Sequence, residues 1–493
     1  MKKRLFLTMI LFLFGFSAYA CDMLTTASTT TTFLTSSTPA STTTSQVSTT
    51  TSQTTSASTE SPIIPSNYST LQDEIDVVGI PATGNVKVLV FVVEFSDYPK
   101  EDTGVSVEDI ELAFNGSSSN LDYESLNSYY LKSSFNQLNI TADVFGYYMA
   151  DYPASYYADE YEKLYAWDYV HDDWLYGEDE VTYPDSDLIY ELLSNYAGDI
   201  DYSQYDQNND SYIDGIYVIY STPVSYESGS DLWWAYQDIY IYEGDTFQNK
   251  EPYYFAWAGT DFFLEGNENL NARTIIHETG HMLGLDDYYD YDSSDYYNSG
   301  GLGGADMMDN TVGDHNPFSK ILLGWITPLV VTESMTVDIA PFLEDGEVIL
   351  LIDEWNNTIF DEYLLISYYT PTGLNELDKY DIFSTSGIII YHISAEIDQG
   401  YDDSSSYYSI FNYNNTDTNH KLIEIIEADM DNDIFTDGYA ENSDLYQASS
   451  SFVSSSYPSF DWYSTLELFN FTIHINSIGN TIASISIDFD SGN

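Results

Sequence analysis

HETGHMLGLDDYYD, residues 277–290, is the stretch whose reading decides the fold. His277 and His281 are four apart, one turn on a helix, so their imidazoles share a face and can converge on one ion. Glu278 borders that face, within reach of a metal-bound water without being a ligand. The surrounding run NARTIIHETGHMLGL, 271–285, predicts a helix whose core side carries Ile275, Ile276, Thr279, Met282 and Leu283 at spacings of three, four and seven. Gly284 is placed to end it in a left-handed turn and swing the chain back. Asp286 or Asp287 then returns towards the ion as a third ligand, and Asp287 stands three residues past the glycine.

Upstream of the helix, strands and helices alternate. VKVLVFVVEFSD, 86–97, is an apolar, β-branched run that predicts a buried strand. Residues 125–148 predict a short helix and then a strand. DLIYELLSNYAG, 187–198, has the apolar spacing of a helix, with Gly198 placed as its stop, and DGIYVIYST, 214–222, predicts another strand. Downstream of residue 328 the pattern changes to short β-rich runs such as EYLLISYY, SGIIIYHIS and TIASISIDF separated by turns. The chain is therefore expected to be α+β, with a β-rich region over 329–493.

The motif HETGHMLGLDDYYDYD resembles the zinc site of the immune inhibitor A family of secreted metallopeptidases, which belong with the metzincins. IPATGNVKVLVFVVEFSD (80–97), SYYLKSSFNQLNI (128–140), DQNNDSYIDGIYVIYS (206–221) and GGADMMDNTVGDHNPFSKILLGWITP (303–328) resemble further segments of that catalytic domain. DEYLLISYY (361–369) and SGIIIYHIS (386–394) resemble its β region, so the likeness spans about 62–493. It implies a metzincin-like zinc-peptidase catalytic domain, a mixed sheet plus the zinc-site helix, over 61–328, followed by a sandwich-like C-terminal domain. In the metzincin pattern the last ligand position falls on Asp287, giving His277, His281 and Asp287 for one Zn2+ and Glu278 as general base. The methionine beneath the metal matches Met308, with Met307 the alternative. Where relatives carry an oxyanion-stabilising tyrosine this chain has Asn310, leaving His315, Tyr288 and Tyr289 as candidates.

Two acidic loops carry a calcium-like spacing. DQNNDSYID sets Asp206, Asn208, Asp210 and Asp214 at positions one, three, five and nine, and DMDNDIFTD repeats this with Asp429, Asp431, Asp433 and Asp437. Neither is an EF-hand: in the first, Ser211 replaces the glycine at position six and no glutamate stands at twelve. Each is a candidate for structural Ca2+, against the plainer reading of an acidic turn.

The N-terminal segment reads as targeting sequence. MKKR followed by LFLTMILFLFGF and SAYAC, residues 1–21, predicts a signal peptide over 1–20, with the single cysteine, Cys21, at the cut as in a bacterial lipoprotein. Residues 21–60 are almost wholly Ser and Thr and predict a disordered tether, with an r.m.s. span of roughly 30–35 Å. The chain holds 12 Lys and Arg against 80 Asp and Glu, net −68, which argues against nucleic acid and anionic membrane surfaces as partners. Membrane attachment is expected only through the lipid anchor, with plain secretion the alternative because AYA also suits ordinary signal peptidase, and protein or peptide substrates are the expected partners. The function expected is an exported zinc endopeptidase. The alternatives are a surface adhesin or binding lipoprotein on a zinc-peptidase fold, and a zinc hydrolase acting on a non-peptide bond.

Overall fold

The computed structural model describes residues 61–168, 173–174, 181–224, 231–264, 269–290, 301–380, 382–398, 409–416, 420–457, 460, 462–463 and 469–490. The expected signal peptide, Cys21 and the Ser/Thr tether lie outside the described residues. Among the described residues no helix is long and apolar enough to cross a membrane.

The molecule is mixed α+β. Its first half is built on a sheet of β1 (Gly84–Glu94), β2 (Leu138–Met149), β3 (Ile216–Tyr220), β4 (Tyr236–Ile239) and β5 (Tyr254–Gly259), in the order β2-β1-β3-β5-β4. The first four of these run parallel, and β4 closes one edge antiparallel to β5. A parallel sheet needs cover on both faces, which is why β1 reads as a continuous apolar run. Val86, Val88, Val90 and Val92 point to one side, with α1 (Val107–Asn115), α2 (Leu126–Ser133) and the helix carrying His277; Leu89, Phe91 and Val93 point to the other. That second side is covered by α3 (Ala154–Leu164) and α4 (Pro184–Tyr196), through Tyr157, Leu188, Ile189, Leu192 and Leu193.

The elements follow the sequence patterns with shifted ends. Helix α4 starts earlier than its apolar spacing suggests because Pro184 occupies its first turn. It ends at Tyr196, whose carbonyl accepts from Asp199 and Ile200, and Gly198 does not take the left-handed conformation expected of a stop. The helix predicted over 271–285 is α5 (Arg273–Met282), and its expected core residues Ile275, Ile276, Thr279, Met282 and Leu283 are all buried. Gly284, at φ +98°, makes the predicted left-handed exit.

After α6 (Pro317–Leu322) the chain forms two sheets. One contains β6 (Leu329–Val331), β8 (Val348–Leu351), β9 (Glu362–Tyr369), β10 (Gly387–Ser394) and β11 (Ile423–Ile425); the other contains β7 (Met335–Ile339), β12 (Ser451–Val453), β13 (Phe471–Ile478) and β14 (Ala483–Phe489). Ile349, Leu351, Leu364 and Ile366 from the first share a core with Ile339, Ile473, Ile485 and Ile487 from the second. The opposite side of the first sheet, including Leu350, Leu365 and Ile389, joins the same core as α5 and Met308. Apolar packing thus runs without a break between the two halves.

Buried polar contacts fix their register. Lys320, fully buried, pairs with Asp314 at 2.5 Å, and Ser133 of α2 donates to the other oxygen of Asp314. The Asp314 N–H donates to Asn375, and the Tyr123 hydroxyl reaches the carbonyls of both Gly313 and Leu374. Beside them Asp378 is buried, taking 2.9 Å from the Tyr369 hydroxyl. Burial, opposed by that hydrogen bond and reinforced by the Asp314 charge, raises its carboxyl to about 7. The folded chain therefore keeps a proton that the unfolded chain, near 3.8, has already released. The stability this provides is fully present below the unfolded value and is lost as pH rises through about 7. Replacing Asp378 with Asn is expected to flatten the fall in Tm between about pH 4 and pH 7, measured as a melting series against the native chain.

Candidate metal centre

Helix α5 and the turn after it supply three ligand-type side chains. The Asp287 carboxylate lies 3.0 Å from Nε2 of His277 and 3.3 Å from Nε2 of His281, and the two imidazole rings stand nearly perpendicular at 85°. Ligand atoms of all three lie within 4.8 Å of one another, so the cluster is able to hold a metal ion. The helix supplies the first two by its pitch, and the Gly284 exit brings the third back within three residues. Asp286 is not part of the group; its carboxyl is engaged by Ser409 and is raised by burial to about 7.

Backbone carbonyls set the orientation of both rings. Nδ1 of His277 is 2.8 Å from the Met307 carbonyl, and Nδ1 of His281 is 2.8 Å from the Leu285 carbonyl. A carbonyl only accepts, so each Nδ1 carries the proton and each neutral ring turns the lone pair of Nε2 towards Asp287. Two lone pairs facing a carboxylate at this range repel unless a proton or a cation lies between them. A tetrahedral ion with bonds of about 2.0–2.1 Å holds its ligand atoms about 3.3 Å apart, close to the separations seen. The donor set and its spacing therefore fit a metal. Without one, burial would lower both imidazoles, but the Asp287 charge outweighs it and raises His277, and raises His281 to about 10. Burial alone would raise Asp287; the two histidines hold it far below the usual carboxylate range.

Glu278 is 6% exposed, and among the described residues nothing hydrogen-bonds its carboxylate. Burial raises its pKa, while His277 and His281 oppose the rise and Asp287 adds to it. A buried carboxylate with unused lone pairs beside a cluster able to hold a cation is equipped to take and return a proton.

Met308 packs directly behind the helix. It begins a short helical turn with Met307 that is capped by Asp306, whose carboxylate accepts the Met308 N–H at 2.6 Å and the Asn316 N–H at 2.6 Å. A Cβ on Gly280 would sit 2.3 Å from the Met308 sulfur, so the glycine between the two histidines is what lets the methionine approach. Met307 contributes its carbonyl to His277 instead. Of the oxyanion candidates, His315 is fully buried among Tyr129, Tyr130 and Trp325, with burial holding its pKa well below the ordinary value. Tyr288 is fully buried with its hydroxyl 2.8 Å from Ser319. Both are buried in the packing, while Tyr289 is half-buried and Asn310 exposed.

The two acidic loops differ. Asp206 accepts the backbone N–H groups of Asp210 and Ser211 and pairs with the Lys250 ammonium, so a lysine meets the charge of the first loop. Asn208 bonds Asp210, and Asp214 accepts the Gln207 N–H and is raised by burial to about 8. Among the described residues Asp206, Asp210 and Asp214 do not form a close carboxylate group. In the second loop Asp431 and Asp433 are brought together with Glu427 and Asp444, two residues the loop spacing does not include. Asp429 caps the Asp431 N–H at 3.4 Å, and the side chain of Asp437 lies outside the described residues.

No protein-family model matches the chain, and a search of curated proteins gives no match. The functional reading therefore rests on the site itself. Gly280→Ala is expected to lower stability by about 1–3 kcal/mol through overpacking against Met308. In a double-mutant cycle by denaturant unfolding, adding Met308→Ala should cost less than the two single changes summed; strict additivity would show that the two side chains do not press on each other.

Proposed function

We propose that this protein is a zinc-dependent endopeptidase of the metzincin type that cleaves peptide bonds of protein substrates outside the cell. The observation that carries the reading is the convergence of two imidazole Nε2 atoms, each fixed by a backbone carbonyl, on the carboxylate of Asp287, with the buried carboxylate of Glu278 next in sequence to His277. Two nitrogens and one oxygen make a three-residue set of the kind catalytic zinc sites use, with a further position left for water or substrate. Zinc, when bound, supplies a Lewis acid that polarises the scissile carbonyl and acidifies a water.

The remaining work belongs to the chain. Glu278 accepts the proton of the attacking water and returns it to the departing amine. Its raised pKa suits both halves of that exchange, because a carboxyl poised above the ordinary range gives up and takes a proton with less bias. Met308 and Gly280 hold the floor of the site, and the Met307 and Leu285 carbonyls keep each ring in one tautomer. The parallel sheet with an antiparallel edge supports a metzincin-like catalytic domain over 61–328, and the two facing sheets that follow support a sandwich-like region over 329–493. The segment ending in Cys21 supports export with a lipid anchor, and the net charge of −68 supports a substrate other than nucleic acid.

Casein hydrolysis by the native chain and by Glu278→Gln, with zinc present, tests the proposal. The variant is expected to retain zinc and lose about 10²–10⁴-fold in kcat, the range for removing a general base. Equal cleavage by both would reject Glu278 as the base. Zinc binding by both with no cleavage by either would favour the non-catalytic binding protein.

A further inference from the structure

We propose that Glu427, Asp431, Asp433 and Asp444 hold one calcium ion, which locks the loop between them against the wall of the metal centre. Each of the four offers a carboxylate oxygen, and these oxygens lie within 4.8 Å of one another. A gathering of acids alone proves little in a chain this acidic. The independent sign is Asp444: it is 1% exposed, one of its oxygens accepts the Glu441 N–H at 2.6 Å, and the other, Oδ1, is buried and has no hydrogen-bond donor among the described residues. A buried carboxylate oxygen left without a donor is costly, and a cation is the partner that the surrounding acids permit. Among the described residues no lysine, arginine or histidine forms an ion pair with Glu427, Asp431 or Asp444. This is where the second loop parts from the first, in which Lys250 already pairs with Asp206.

The donor chemistry selects the ion. All four ligands are carboxylates, with no nitrogen or sulfur, which disfavours zinc and suits a hard cation. Calcium accepts an irregular cage of six to eight oxygens, whereas magnesium demands a near-ideal octahedron and keeps several of its waters. Glu427 and Asp444 are buried, Asp433 half-buried and Asp431 exposed, so the cage is open on one side to water.

The loop faces the catalytic half of the molecule. The Ala440 N–H donates to the Gly303 carbonyl at 2.9 Å, and a Cβ on Gly303 would come within 2.3 Å of that nitrogen. The next glycine, Gly304, donates to Asp309 in the turn that carries Met307 and Met308. A cation bridging residues 427 and 444 therefore ties down the loop that presses on the segment holding His277 in place. The inference does not depend on the molecule being a peptidase.

The test is calcium titration of the full chain at constant ionic strength and constant zinc, read as calcium bound per chain and as Tm. The expected result is a saturable rise of about 3–6 °C in Tm that magnesium at the same concentration does not reproduce. Asp444→Asn and Asp431→Asn should each bind one calcium fewer, or bind it at least about tenfold more weakly, and lose the rise. Asp431 is exposed, so its variant decides the matter if Asp444→Asn fails to fold. Native-like calcium binding and melting in Asp431→Asn would overturn the proposal. So would equal effects of magnesium and calcium in native and variant chains, which would show only screening of the acidic surface.

Discussion

The arrangement on which the rest depends is a repulsion. Two imidazole lone pairs are aimed at one carboxylate at 3.0 and 3.3 Å, an arrangement that favours keeping a positive charge between them. Nothing in the three side chains alone would impose it. The two rings would rotate and exchange tautomers if the Met307 and Leu285 carbonyls did not each claim an Nδ1. The helix end at Gly284, the turn capped by Asp306 and the glycine that admits Met308 all serve to keep those carbonyls where they are.

The parallel sheet gives this arrangement a stiff base. Tyr217 of β3 bonds Thr279 of the metal helix at 2.8 Å, and Tyr130 of α2 donates to the Ile276 carbonyl at 2.7 Å. The helix is thus gripped by its polar as well as its apolar atoms. On the far side, the strands after residue 328 do not stand apart, since their core runs into that of the metal helix. Any loosening of the β-rich half reaches the site through shared packing rather than through a hinge.

How much of this was legible in the sequence depended on the kind of signal. The side-chain periods of the helix carrying His277, the continuous apolar run of β1 and the left-handed exit at Gly284 were all visible, because each reports a local backbone preference. Asp287 is preferred to Asp286 by offset and a family resemblance together, and Met308 is named only through the resemblance, which leaves Met307 as the alternative. The carbonyl partners of the histidines were invisible, because every residue has a carbonyl and none advertises where it points. Gly198 misled, as the chain after Tyr196 closes with a non-left-handed turn. Lys250 and Asp444 were missed for a common reason: each meets its acidic loop across a gap in sequence that no short motif records.

The cluster's side chains are neighbours along the chain, as is the Leu285 carbonyl that orients His281, yet the other supports are not. His277 to Asp287 spans a single short segment, whereas the tether to Met307 lies 30 residues away and that to Tyr130 lies 146 away. A folding chain pays the entropy of closing those loops before the rings are held, so the geometry of the cluster depends on long-range contacts and not on the segment alone. Tight capture of an ion would accordingly be a property of the finished fold, and by the same linkage a bound ion would favour the folded state.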